Sequence, residues 1–233
     1  VEGVQRLVAG GHEVIVLDDA FQHRALKPGL ALLLFDYNSM LRPRWLLPAG
    51  NYRDWFAARK RADILVVTKT PATATSETRM SIRQRLAVDG RVPVLFAGIA
   101  YGRLIPIGRG GQEGRGVLSP EVSVLLVTGI ANPDPLYGYL AAQVGEIVHL
   151  RYGDHHPYSP ADIITIKNRF AAIANGQKLI ITTEKDSQRL SALAHSGILG
   201  ELPLYMLPIR LTLNDGDAQI LERRVLDYCA GRQ

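Results

Sequence analysis

The stretch VIVLDDAFQHR, residues 14–24, runs apolar residues straight into two adjacent carboxylates, Asp18 and Asp19. Gln22, His23 and Arg24 follow, all large and polar. A carboxylate at the end of an apolar strand is where phosphoryl-transfer enzymes of the phosphate-loop class hold Mg²⁺ beside nucleotide phosphates. Two neighbouring carboxylates repel each other, so the pair needs a cation or hydrogen-bond donors nearby. A capped turn at a strand end is the competing reading, and the pattern alone does not decide between them.

Three further clusters carry reactive groups. Asp154-His155-His156 offers imidazoles that can orient or polarise a base near neutral pH. Adjacent histidines lack common zinc spacing, and without further context the triplet reads as a polar loop. Glu184, Lys185 and Asp186 follow the β-like run KLIITT, which puts them at a sheet edge facing a cleft or in an internal ion-pair network. Thr68-Lys69, after ILVV, can touch a nucleotide base or only end its strand. A phosphate loop, G-x-x-x-x-G-K-[ST], would complete the set. None of Lys27, Lys60, Lys69, Lys167, Lys178 and Lys185 is preceded by glycine, so the sequence contains no such loop.

The elements that must position these groups alternate short apolar runs with amphipathic stretches, the pattern of an α/β protein with mostly parallel strands. Strands are expected at 14–17, 30–35, 64–67, 92–97, 122–127, 146–150, 178–182 and 203–206. Helices are expected at 4–9, 53–61, 77–88, 135–143, 161–174, 187–193 and 217–228. The fifth of these helices carries its own start signal: Ser159 to cap free amides, Pro160 for the first turn and Asp162 at the positive end of the dipole. The glycine-rich stretch GRLIPIGRGGQEGRG, residues 102–116, reads as a linker or hairpin. It divides a first domain, 1–100, from a second α/β domain, 119–233, whose C-terminal helix can return to the first.

Composition narrows the partners. The chain has 233 residues, 47% hydrophobic and 21% charged, enough apolar material for a sizeable core. Its net charge of +5 suits phosphates or an anionic membrane face. The longest apolar run, Leu30–Phe35, is far short of the roughly 20 residues that cross a bilayer. Cys229 is the sole cysteine, which excludes an internal disulfide and fits a reducing cytosol. Residues 41–61 mix Arg42, Arg44, Arg53, Arg59, Lys60 and Arg61 with Trp45, Tyr52, Trp55 and Phe56. Arginines suit phosphate and aromatics suit a membrane interface, while a core-packed helix with a basic face is the plainer reading.

Taken as ordered blocks, DDAFQHR (18–24), LPAGNYRD (47–54), RADILVVTKTP (61–71), LLVTGIANPDPLYGYL (125–140), DHHPYS (154–159) and TTEKDSQRL (182–190) resemble the tetraacyldisaccharide 4'-kinase, or lipid A 4'-kinase, family. The resemblance implies a kinase-like parallel sheet flanked by helices, with a second, smaller α/β domain. It also implies ATP-dependent phosphorylation of the 4'-hydroxyl of a lipid A disaccharide precursor at the cytoplasmic face of the bacterial inner membrane. ATP and Mg²⁺ would be the cofactors, with no nucleic acid and no obligate protein partner. Asp18 and Asp19 match the acidic pair that handles Mg²⁺. His155 matches the histidine of a catalytic Asp–His pair whose aspartate lies in a preceding segment. Gln22, His23, Arg24, Arg53 and Lys185 would bind substrate or phosphate, and Thr68 and Lys69 the nucleotide. Family members carry their phosphate loop ahead of this point, so the chain alone is expected to be inactive. A non-catalytic lipid-binding module derived from such a kinase is the alternative.

Overall fold

A computed structural model describes residues 1–41, 56–86, 90–108, 110–112, 116–194 and 202–231. The chain forms two compact units, residues 1–100 with 211–233, and residues 101–210.

In the first unit, helix α1 (Glu2–Ala9) precedes strand β1 (Leu32–Asp36), α2 (Tyr37–Leu41), a 3₁₀ turn (Phe56–Arg61), β2 (Ile64–Thr68), α3 (Ser76–Leu86) and β3 (Val94–Tyr101). The second unit holds β4 (Ile105–Pro106), β5 (Ser123–Thr128), α4 (Asp134–Ala141), β6 (Glu146–Arg151), α5 (Pro160–Ala172), β7 (Lys178–Thr183), α6 (Glu184–Ala194) and β8 (Leu204–Leu207). The chain then returns to the first unit as β9 (Ile209–Leu213) and α7 (Asp215–Cys229).

The first sheet has the order β1-β2-β3-β9, with β1, β2 and β3 parallel. Strand β2 is apolar at every buried position because helices cover both its faces. Leu65 and Val67 pack with Met40, Ile82 and Leu86 on one side. Ile64 and Val66 pack with Leu213 and Leu221, from β9 and α7, on the other. Asp217 fastens α7 to this sheet, its carboxylate accepting the Phe96 amide at 2.9 Å.

The second sheet has the order β4-β8-β7-β5-β6. Strands β6, β5, β7 and β8 are parallel, and β4, from the glycine-rich stretch, runs antiparallel to β8 as an edge strand. All of β5 is buried. Val124 and Leu126 face Leu136 and Leu140 of α4. Leu125 and Val127 face Ile163 and Ile166 of α5 and Leu190 of α6. The start signal of α5 forms in full: Ser159 and Asp162 exchange side-chain and backbone hydrogen bonds as a capping box, with proline in the first turn.

The expected strand at 14–17 is corrected by the structure. These residues lie in no helix or strand, and Val14 and Val16 are exposed, Val16 by 88%. An apolar run becomes a strand only beside a ladder partner, and none flanks it among the described residues. The helix expected at 53–61 is a 3₁₀ turn over Phe56–Arg61, residues 53–55 lying outside the described residues. Strand β9, unforeseen in the sequence, is mostly exposed and reads IRLTL, with no continuous apolar run.

Candidate functional site

Strand order in the second sheet reverses beside β5. The chain leaves β5 through α4 toward β6 on one side, and leaves β7 through α6 toward β8 on the other. At such a reversal the loops after neighbouring strands diverge, and the opening beyond the strands' carboxyl ends is where open α/β folds bind ligands. Three of the sequence blocks meet there.

Asp186, in the first turn of α6, organises the meeting. Its side chain is fully buried, and one carboxylate oxygen accepts the Gly129 amide at 2.9 Å and the Thr183 hydroxyl at 2.8 Å. The Thr183 hydroxyl oxygen in turn accepts the Asp186 amide, tying the helix start to the end of β7. The other carboxylate oxygen pairs with Arg189 Nη1 at 3.1 Å. Gly129 follows β5 and must be small: a Cβ there would lie 2.9 Å from the Asp186 carboxylate and 3.2 Å from the Tyr158 hydroxyl. Burial, and then the Asp186 charge, push the Tyr158 hydroxyl well above its ordinary value.

His155 reaches this point from the loop after β6. Its amide donates to the Gly129 carbonyl at 3.0 Å, and its backbone sits in the left-handed region at φ 57°. A non-glycine residue there costs of order 1–3 kcal/mol and persists when its surroundings hold it. Arg189 supplies part of that hold: Nη1 donates to the Gly129 carbonyl and Nη2 donates to His155 Nδ1 at 3.0 Å. The imidazole itself is exposed, its Nε2 lying 3.8 Å from Asp154.

His156 points elsewhere. Its Nε2 meets Asp162 at 3.1 Å and its ring stacks on Tyr152, so it is bound into the start of α5. Burial raises the Asp162 carboxyl, but hydrogen bonds from Ser159 and His156 outweigh it and hold the group below its ordinary value. His149, on β6, bonds the Thr128 hydroxyl at 2.9 Å. Burial first, and then Arg151, lower it.

Lys185 and Glu184 are exposed, outside this network. The sequence reading grouped Glu184, Lys185 and Asp186; the structure takes only Asp186 inward and adds Arg189 and Gly129. The sequence reading missed Arg189, although its pairing with Asp186, one turn back along α6, was legible from spacing. Its bond to His155 was not, because the loop after β6 brings that residue across the sheet.

The first unit carries its own polar edge. Asp36 ends β1 and Lys69 follows β2, joined at 3.0 Å. Burial raises the Asp36 carboxyl, but Lys69 and the Ser39 and Asn38 amides outweigh it and lower it overall. Lys69 also adopts a left-handed backbone, at φ 56°, and the Thr68 hydroxyl donates to the Phe35 carbonyl. Asp18 and Asp19 are exposed in a loop, not at a strand end, with Asp19 at φ 48°. Gln22, His23 and Arg24 are exposed in successive tight turns, where the His23 amide bonds the Ala20 carbonyl. Arg61 lies over the Phe21 ring at 4.5 Å. Arg53 falls outside the described residues.

These features place the chain among open α/β proteins with chemistry-bearing side chains at the carboxyl edges of parallel sheets. Comparison with known proteins narrows that class. Residues 1–228 match the family of tetraacyldisaccharide-1-P 4'-kinases, known as LpxK, and the chain belongs to that family. The tetraacyldisaccharide 4'-kinase of Phocaeicola vulgatus is 35% identical over 231 residues, 97% of this chain and 63% of the relative. That of Bacteroides thetaiotaomicron is 35% identical over 226 residues, 93% of this chain and 59% of the relative. The chain thus spans about three fifths of the length of these curated relatives. The crystal structure of LpxK from Aquifex aeolicus, described as in complex with ATP, shares the fold at a TM-score of 0.54 and 22% identity. That match covers 89% of this chain and 56% of the other.

Proposed function

We propose that the complete protein transfers the γ-phosphoryl group of ATP to the 4'-hydroxyl of a tetraacyl disaccharide precursor of lipid A, a step of lipopolysaccharide biosynthesis. The reading rests on family membership together with one observation. His155, exposed at a strand-order reversal, is held in a disfavoured backbone conformation by Gly129 and Arg189. Strained backbone positions cluster at functional sites, and an exposed imidazole held in one can orient an acid or base there.

Asp18 and Asp19 fit Mg²⁺ in chemistry: two adjacent, exposed, hard oxygen donors suit an ion that keeps several waters and takes only one or two protein carboxylates. Bound MgATP supplies the phosphoryl group and neutralises its charge. Among the described residues no group of three or more His, Cys, Asp or Glu side chains could hold a metal, so the carboxylate pair would act with phosphate oxygens rather than as a cage. Gln22, His23 and Arg24 follow in the same turns and can donate to phosphate or sugar oxygens. Lys185, exposed beside the Asp186 network, can do the same. His155 would orient the group that takes the 4'-hydroxyl proton. The basic and aromatic residues of 41–61 favour an anionic membrane surface at the cytoplasmic face. No described helix is long and apolar enough to cross a membrane.

Transfer of labelled phosphate from ATP to the disaccharide lipid by the complete protein tests the reading. His155→Ala should lower kcat by about 100-fold or more. His156→Ala should cost mainly stability. Residues 1–233 alone should give no transfer, since their sequence supplies no Gly-Lys-Ser/Thr cradle. A complete protein that binds the lipid and never turns over ATP would instead be a lipid-binding module.

A further inference from the structure

We propose that Arg189 is a positioning residue that fixes the tautomer of His155 and presents it to the substrate side as a hydrogen-bond donor. The inference rests on the reading of His155 given above, but its first test is independent of catalysis.

Arginine carries only donors and keeps its charge at any pH the protein meets. The 3.0 Å approach of Arg189 Nη2 to His155 Nδ1 is therefore an N–H donating to an imidazole lone pair. With Nδ1 accepting, the ring proton must sit on Nε2. The outward nitrogen is thus an N–H. Asp154, 3.8 Å from Nε2, has the charge to favour that proton.

The guanidinium is not free to turn away from this task. Nη1 is held by the Asp186 carboxylate at 3.1 Å and the Gly129 carbonyl at 3.3 Å. Asp186 is itself fixed by the Gly129 amide and the Thr183 hydroxyl. A planar fork whose one arm is anchored in buried groups sets the direction of the other. The backbone of His155 is anchored on the same Gly129 carbonyl. Ring and guanidinium are thereby referred to one peptide unit, and the Nδ1 contact follows from both.

The chemical consequence is specific. An Nε2–H donor binds and orients an anionic oxygen, a carboxylate or a phosphate, and does not accept a proton in its resting state. Lysine at 189 cannot replace arginine: its single nitrogen can stay with Asp186 or reach His155, but lacks the fork that does both.

The test begins with the unmodified chain. Long-range ¹H–¹⁵N spectra of its histidine rings, with His155 assigned by loss of its signals in His155→Ala, identify the protonated nitrogen. The expected result is a protonated nitrogen coupled to both ring carbon-bound protons, which is Nε2. A proton on Nδ1, or a rapid average of the two tautomers, overturns the proposal without any variant that has to fold. In Arg189→Lys, which keeps a cation beside Asp186, His155 should shift to a tautomer mixture while the other histidines stay unchanged. An unchanged His155 spectrum there also overturns it. In the complete protein, Arg189→Lys should lower kcat about 10-fold or more with little change in KM for ATP, the usual scale for loss of an orienting partner. A silent Arg189→Lys beside a crippled His155→Ala would refute the positioning role alone. If both are silent, the role of His155 itself fails.

Discussion

Replacing Asp186 by alanine should destabilise the second unit by about 3 kcal/mol. The magnitude follows from what the carboxylate holds. Its side chain is 0% exposed, so the Gly129 amide it satisfies is left buried with no acceptor, a loss of about 1–3 kcal/mol. Breaking a fully buried ion pair costs about 3–5 kcal/mol, but Arg189 is 26% exposed and recovers water on one side, which takes that contribution to its low end. The Thr183 hydroxyl can rotate to another acceptor and adds little. Asp186→Asn keeps one carbonyl oxygen and the volume, and should cost about 1–2 kcal/mol. The readout must report on the right unit. Amide hydrogen exchange across β5 and β7 follows the second unit and gives its opening free energy directly. A loss below about 1 kcal/mol in Asp186→Ala would refute the argument. The carboxylate would then be a passenger of the helix start, not the organiser of the loops.

Gly129→Ala should destabilise the same unit by about 1–3 kcal/mol through overpacking against Asp186 and Tyr158, read by the same exchange experiment. Asp162, whose folded value is depressed, stabilises fully above its ordinary 3.8, and the stabilisation disappears as pH falls through the lower folded value. The difference in melting temperature between the parent and Asp162→Asn should therefore narrow below about pH 4, and a constant gap would count against the His156–Ser159–Asp162 arrangement. Lys69→Met should change urea stability by under about 1 kcal/mol, because its pair with Asp36 is half-exposed, yet raise KM for ATP in the complete protein if Lys69 meets the nucleotide. Asp18→Asn and Asp19→Asn in the complete protein should each cut kcat by orders of magnitude with the fold intact. Asparagine is the substitution of choice at 19 because it tolerates the left-handed backbone there.

The parallel strands were legible because fully buried strands such as VLLV announce themselves as apolar runs. Helix α5 was legible because Ser159, Pro160 and Asp162 act within one turn. What failed was pairwise. Val14–Leu17 has strand composition but no ladder partner among the described residues, and IRLTL pairs with β3 despite a composition that reads as exposed. At the candidate site, Asp18, Asp19 and His155 stood out only through the blocks that resemble the kinase family, because type and spacing alone left a strand-end turn and a polar loop open. Gly129 and Arg189 did not, since a glycine's need to be small and an arginine's second partner exist only once β5, β6 and β7 are side by side.

The excursion of the chain through residues 101–210 before β9 and α7 complete the first sheet reverses the usual order of folding during synthesis. Domains generally fold as they emerge, N-terminal first. Here the earlier-made unit waits, with one face of β2 and β3 uncovered, until Leu213 and Leu221 have left the ribosome. The later-made unit has all its strands by Leu207 and can close first. A nascent chain exposed outside the ribosome only as far as residues 210–215 would therefore hold a finished second unit and an open first one. Chaperone binding and premature proteolysis should then concentrate on residues 1–100.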